Sequence, residues 1–243
     1  MTKKTIGIIG GMGPLATCDL FKKIITNTPA ACDQDHIHVI IDNNTNIPDR
    51  TAALLAGGPS PLPEMVKSAQ RLEAAGADAL IMPCNTAHGF YEPLQEAVSI
   101  PVIHMIRETV GAMVRGGITC AGLLATSGTI DAGVYDRACA FGLEDAEPQA
   151  EEYTSTSLRL LKPTDDEQKA VMHMIYQGVK AGVKDYDASA VQAIADRLIS
   201  EGAQAIILGC TELPLAKEMY ALDFPSVDPT EELARAAVRV ACG

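Results

Sequence analysis

The sequence predicts an α/β protein of two pseudo-symmetric domains, each a small parallel β-sheet flanked by helices, with the active site in the cleft between them. Three observations carry that prediction. Short apolar runs alternate with amphipathic helical stretches along the whole chain. The connections are long enough that successive strands must run parallel, because a right-handed crossover returns each strand beside the last. The second half also repeats the first. Gly-Ala-Asp-Ala-Leu-Ile-Met-Pro-Cys-Asn-Thr, residues 76–86, lies over Gly-Ala-Gln-Ala-Ile-Ile-Leu-Gly-Cys-Thr-Glu, residues 202–212, and sets Cys84 over Cys210.

Taken in order, residues 5–10 form an apolar strand ending in glycines, and Pro14 stands at a natural first helical position, opening an amphipathic helix to about residue 26. Residues 36–42 are the second strand. Their polar exit, residues 43–51, leads into a short helix, and residues 57–63 are a Pro/Gly-rich connection. A helix over 64–75 stops at Gly76, the Cys84 strand follows, then a helix over 91–98 and a fourth strand over 100–104. After a helix over 107–115, ended by Gly116 and Gly117, the pattern restarts. Residues 119–125 mirror 5–10 and exit into Thr126-Ser127-Gly128-Thr129, and residues 144–150 read as a less apolar strand. Thr164-Asp165-Asp166-Glu167 is a capping box that starts a long helix through Lys180, and Ser189-Ala190-Val191-Gln192 repeats the device before a helix that stops at Gly202. The Cys210 strand, a helix over 213–220, a strand over 224–227 and a last helix from Pro229 complete the second half. The domains are therefore expected at 1–106 and 107–228.

Composition narrows the function. A chain of 243 residues that is 47% hydrophobic and 21% charged can bury a sizeable core. Its formal net charge of −12 repels polyphosphates, so no nucleic-acid partner is expected. Seven cysteines, an odd number without tight spacing, do not form a disulfide framework, which points to a reducing, cytoplasmic compartment. The apolar run at the N-terminus meets Gly-Gly-Met-Gly-Pro too early for a signal-peptide core. No apolar run approaches the roughly 18 residues of a spanning helix, so no membrane partner is expected.

In open parallel sheets, ligands bind outside the carboxyl ends of the strands. Cys84 and Cys210 both fall there, as do Met12, Thr45, Arg50, Thr126 and Ser127. Two thiols facing each other across one site suit inversion of a proton-bearing stereocentre: one removes the proton from one face, the other returns a proton to the opposite face. For each sulfur to reach near-attack distance the pair stands on the order of 7 Å apart, far beyond disulfide range. A free thiol titrates near 8.5, so the basic partner needs nearby positive charge or helix-start N–H groups.

Other uses of the same residues stand beside this one. Cysteine is among the most buried residue types, and Cys18, Cys32, Cys120, Cys139 and Cys242 read as structural. Cys84 and His88, four apart, match half of a zinc site, but no second pair exists and no metal is expected; His88 reads as a capping or packing residue. Glu212 either orients a substrate ammonium or caps the next helix. Gly11-Met12-Gly13-Pro14-Leu15-Ala16 satisfies G-x-G-x-x-A and admits a dinucleotide-dependent oxidoreductase, although Asp42 ends the next strand later than that fingerprint expects. A non-catalytic receptor for small acids is the third alternative. The paired cysteines have no role in either.

GIIGGMGPLAT, the Asn-Thr-x-x-Pro-Asp-Arg-Thr loop, MPCNTAH, LLATSGT, GVKAG and GCTELPL, in this order, resemble the cofactor-independent aspartate/glutamate racemase superfamily, most closely its aspartate racemase branch. The resemblance runs from Thr5 to about Asp228. It implies that Cys84 and Cys210 are the catalytic pair, that Arg50 holds a substrate carboxylate and that Lys180 fixes the other. Asn85, Thr86, Thr126 and Thr211 match polar groups around the amino-acid moiety, with Met12 beside them. It implies no cofactor, a homodimer, and a C-terminal helix, residues 229–243, that packs back on the first domain.

Overall fold

The computed structural model describes residues 3–140 and 158–243; the strand expected over 144–150 lies outside them. The chain divides into two compact units, Met1–Met105 with Thr230–Gly243, and Ile106–Pro229.

The first unit is built on a parallel sheet of β1 (Ile6–Gly10), β2 (Val39–Asn43) and β3 (Ala79–Ile81), in the order β2-β1-β3. β1 and β3 are buried throughout, as unbroken apolar runs covered on both faces should be, whereas the edge strand β2 is part-exposed. The strand expected over 100–104 is reduced to one parallel bridge between Leu80 and Val102. Pro101 has no N–H to extend a ladder, so its carbonyl accepts from Leu80 at 2.8 Å and Ile103 N–H returns to Leu80 at 2.8 Å. Helices at Pro14–Asn27, Arg50–Leu55, Leu62–Ala74 and Tyr91–Gln95 complete the unit, with Pro14 in the first helical turn as expected. Ile9, Met65, Leu72, Leu80, Met82 and Leu94 form its core. The terminal helix Pro229–Cys242 is tied here by Lys4 N–H to the Ala241 carbonyl (3.0 Å) and by Asn27 to Glu231 (3.0 Å).

The second unit carries β4 (Cys120–Ala125), β5 (Arg159–Leu161), β6 (Ala205–Gly209) and β7 (Ser226–Val227), parallel and ordered β5-β4-β6-β7. β5, three residues long with Arg159 exposed, was not anticipated; neither were the short helices Ser127–Asp131 and Val134–Ala140. The capping box at Thr164 and Glu167 forms as expected. The helix it starts does not stay α-helical to Lys180, because Asp165–His173 is followed by a π-turn over Met174–Val179. The second expected box is absent. Ser189 is the first helical residue, and its N–H is taken by Asp187 instead, at 3.0 Å.

Three devices are duplicated, one copy in each unit. Gly76 (φ +95) and Gly202 (φ +107) end the preceding helix in the same Schellman pattern: Ala77 N–H bonds Leu72 and Ala203 N–H bonds Leu198, each at 3.0 Å. One residue on, the side chains of Asp78 and Gln204 accept the backbone N–H of Thr5 (2.7 Å) and Thr119 (2.8 Å), locking β3 and β6 to the starts of β1 and β4. Pro225 accepts from Ile206 as Pro101 does from Leu80, again at 2.8 Å. These contacts set the register with which each cysteine leaves its strand.

Candidate active site

Cys84 follows β3 and is a buried free thiol. Its N–H bonds the Met82 carbonyl at 2.9 Å, a tight turn that ends the strand, and Thr86–Phe90 continues as a 3-10 helix. The Cys84 carbonyl is 2.8 Å from His88 Nδ1, while Met105 N–H donates to His88 Nε2 at 3.2 Å. A backbone N–H can only donate, so Nε2 is the acceptor and Nδ1 carries the hydrogen given to Cys84. Burial pushes the His88 pKa down to about 4, keeping the ring neutral. Both ring nitrogens serve the backbone, so His88 braces the Cys84 turn and is not presented as a metal ligand. Asn85 and Thr86, next in the turn, are buried.

Cys210 follows β6 and is also a buried free thiol. Its Sγ donates to Glu212 Oε2 at 3.0 Å, and Thr211 Oγ1 lies 3.4 Å from the same oxygen. Burial first, then the Glu212 charge, holds the Cys210 thiol well above its ordinary range, and Lys180 opposes that shift. Lys180 Nζ stands 3.8 Å from the other carboxylate oxygen of Glu212. Glu212 precedes the helix Leu213–Met219 at the N-cap position without making a side-chain cap bond. Its carboxylate is turned toward Cys210 and Lys180. Tyr176, which the sequence did not single out, lies beneath the lysine, 4.6 Å from Nζ to ring centroid. The spacing of an aromatic four residues before a lysine on one helical face was the signal available.

The remaining expected residues are placed by loops at the carboxyl ends of β1, β2 and β4. Arg50, buried, donates to the Met12 carbonyl at 3.1 Å and to the Pro48 carbonyl at 3.0 Å, fixing its guanidinium against both loops. Gly11 (φ +91) is where these loops touch: a Cβ there would lie 2.4 Å from the Asn44 carbonyl carbon. Gly11, the first glycine of the G-x-G-x-x-A match, is thus required by backbone packing against the β2 exit, whatever the loop binds. Thr126 caps the helix Ser127–Asp131 by accepting from Thr129 N–H at 3.3 Å, with the two hydroxyls 3.0 Å apart. Among the described residues, no cluster of three or more His, Cys, Asp or Glu could hold a metal ion, and no helix is long and apolar enough to cross a membrane.

Paired α/β units of matching strand order, each delivering a buried thiol from the strand beside its central one, agree with comparison to known proteins. The profile of the Asp/Glu/hydantoin racemase family matches residues 9–237. The chain belongs to that family. A broad-specificity amino-acid racemase of Bacillus subtilis is 27% identical over 241 residues, covering 96% of each chain. The solved aspartate racemase of Picrophilus torridus superposes with a TM-score of 0.77 at 30% identity, covering 98% of this chain and 94% of its own. An aspartate racemase homologue from Pyrococcus horikoshii gives 0.73 at 26%, covering 99% and 100%. The glutamate racemase of Francisella tularensis, 20% identical with a TM-score of 0.66, shares the fold. This member of the racemase family is accordingly an isomerase with small amino acids as its substrate class, as the sequence motifs implied.

Proposed function

We propose that this racemase interconverts L- and D-aspartate, with glutamate or a broader amino-acid set as the wider range, by a two-base mechanism in which Cys84 and Cys210 are the bases and no pyridoxal phosphate takes part. The observation that carries it is the hydrogen bond from Cys210 Sγ to Glu212 Oε2, in a buried setting that favours the thiol. Cys210 is thereby equipped as the proton donor. Cys84, as thiolate, takes the Cα proton; Cys210 gives its proton to the opposite face. The cycle ends with Cys84 protonated and Cys210 as thiolate, the starting point for the other enantiomer.

Arg50 and Lys180 hold the two carboxylates and offset the enolate-like charge that grows as Cα loses its proton. Met12, Asn85, Thr86, Thr126 and Thr211 line the amino-acid moiety, and Glu212 faces its ammonium. The breadth of the range is supported by the broad-specificity relative of Bacillus subtilis. Seven free thiols suit a reducing cytoplasm, and a homodimer completes the proposal, to be checked by sedimentation equilibrium.

The test is racemisation of L-aspartate in deuterated water without added cofactor. Deuterium should appear at Cα of the D product. Cys84→Ala and Cys210→Ala should each lower the rate by roughly 10²- to 10⁴-fold, the span of a lost general acid or base. Undiminished turnover in either variant would remove the two-thiol scheme.

A further inference from the structure

Lys180 sits on an unusually braced stretch of backbone. The π-turn Met174–Val179 closes with Lys180 N–H on the Ile175 carbonyl, five residues back, at 3.0 Å, and Val183 N–H on Gly178 at 3.0 Å. π-Turns inside helices frequently mark functional positions. Here the turn is pressed from outside at Gly178, where a Cβ would lie 3.0 Å from Tyr220 Oη and 3.2 Å from Tyr186 Cγ. Both tyrosines are tied in turn: Tyr186 Oη is hydrogen-bonded to His173 Nδ1 at 2.7 Å, and Tyr220 Oη donates to the Val183 carbonyl at 2.7 Å. On that frame the Lys180 side chain, 27% exposed, lies over the Tyr176 ring and reaches Glu212, whose second oxygen already takes the Cys210 thiol.

We propose that Tyr176 is a positioning residue for Lys180, its ring face holding the ammonium at the point where Glu212 and the second carboxylate of a dicarboxylic ligand compete for it. The identity of that ligand as a dicarboxylic amino acid rests on the function proposed above. A carboxylate that takes Lys180 competes with Glu212, which stands 3.8 Å from the ammonium, so Glu212 weakens dicarboxylate binding and the Tyr176 ring offsets the loss by keeping the ammonium in place. A ligand with an uncharged side chain leaves the Lys180–Glu212 pair closed and draws nothing from Tyr176. Tyr176 therefore helps to set the preference for dicarboxylic over neutral substrates.

Calorimetric titration with succinate, a dicarboxylate with no amino group to react on, tests this on the full chain, with kinetics on L-aspartate and L-alanine alongside. Tyr176→Leu should weaken succinate about two- to fivefold, the worth of a part-exposed cation–π contact. It should raise KM for L-aspartate by a similar factor with kcat little changed, and leave KM for L-alanine alone. Tyr176→Phe, which keeps the ring face, should restore wild-type affinity, and Glu212→Gln should tighten succinate. No succinate binding by the wild type, wild-type affinity in Tyr176→Leu, or no rescue by Tyr176→Phe would overturn the proposal. Absence of Cα deuterium exchange with every amino acid, beside the expected succinate pattern, would sink the racemase chemistry and leave the Lys180 seat standing.

Discussion

His88 shows how a histidine four positions from a thiol can brace the backbone of that thiol's turn. Its Nδ1–H supports the Cys84 carbonyl and its Nε2 receives Met105 N–H, so protonation would break the second bond and place a charge in a dry interior. The folded-state pKa lies at about 4 against an ordinary 6.5, because burial penalises the cation. The sign follows directly. Stability from the neutral ring is fully present above pH 6.5 and is lost as pH falls through about 4, for a total of about 3 kcal/mol. Urea midpoints measured from pH 7 to pH 4 should therefore fall more steeply for the wild type than for His88→Gln; parallel curves would show that the imidazole titrates normally. The thiols differ in their supports too, since the Cys210 carbonyl is taken by Leu213 N–H at 2.9 Å, a backbone group. Cys84 thus depends on a side chain for a contact that Cys210 makes through its own turn.

Loops and caps decide how the strands deliver these residues. Gly11→Ala combines a positive φ with a Cβ 2.4 Å from Asn44 backbone that has no flexible side chain to yield. It should cost about 3 kcal/mol or prevent folding, read by thermal unfolding, and its damage should reach the Arg50 loop first. Glu167 does two jobs at once. It closes the capping box on Thr164 N–H at 2.8 Å, and its two oxygens receive Arg197 Nε at 2.7 Å and Nη2 at 2.6 Å. Glu167→Ala should lower stability by about 1–2 kcal/mol, most of it from the cap because the ion pair is part-exposed. A urea midpoint unchanged by this substitution would show that the helix start is held by other contacts.

Across the whole molecule, 31 acidic residues against 19 basic ones leave a formal charge of −12. Exposed ion pairs such as Lys169–Asp166 are worth little each, whereas the excess of like charge acts over the surface. Screening within about 10 Å at 0.1 M salt weakens the repulsion more than it weakens those pairs. Raising sodium chloride from low to moderate concentration at neutral pH should therefore raise the urea midpoint. A fall would mean that attractive pairs dominate. The same excess of negative charge repels any acidic ligand at long range, so the acid-binding role proposed for Arg50 and Lys180 would act against the field of the rest of the surface.

The strand–helix alternation, the parallel pairing and the duplicated cysteine turn were legible because they rest on local periodicity and on a repeat that survives as Gly-Ala-x-Ala. The start of the last helix at Pro229 and the cap at Thr164 were legible from local signals, a proline at the first helical position and a capping box. The fourth strand was over-read, since Ile100, Val102 and Ile103 have strand composition while Pro101 removes the donor a ladder needs. Ser189 has the spacing of a cap, yet the helix begins at Ser189 itself with Ala188 at the N-cap position, and the Asp187 side chain accepts the Ser189 N–H. The sequence alone determined which residue types stand at the strand ends, because patterning and glycine stops are written residue by residue. Only the tertiary structure decided that Glu212 turns to Cys210 instead of its own helix, that His88 braces rather than ligates, and that Tyr176 lies under Lys180. Those outcomes depend on which rotamer each side chain adopts, and that is settled by groups brought in from other elements: Lys180 beside Glu212, and Met105 N–H on His88.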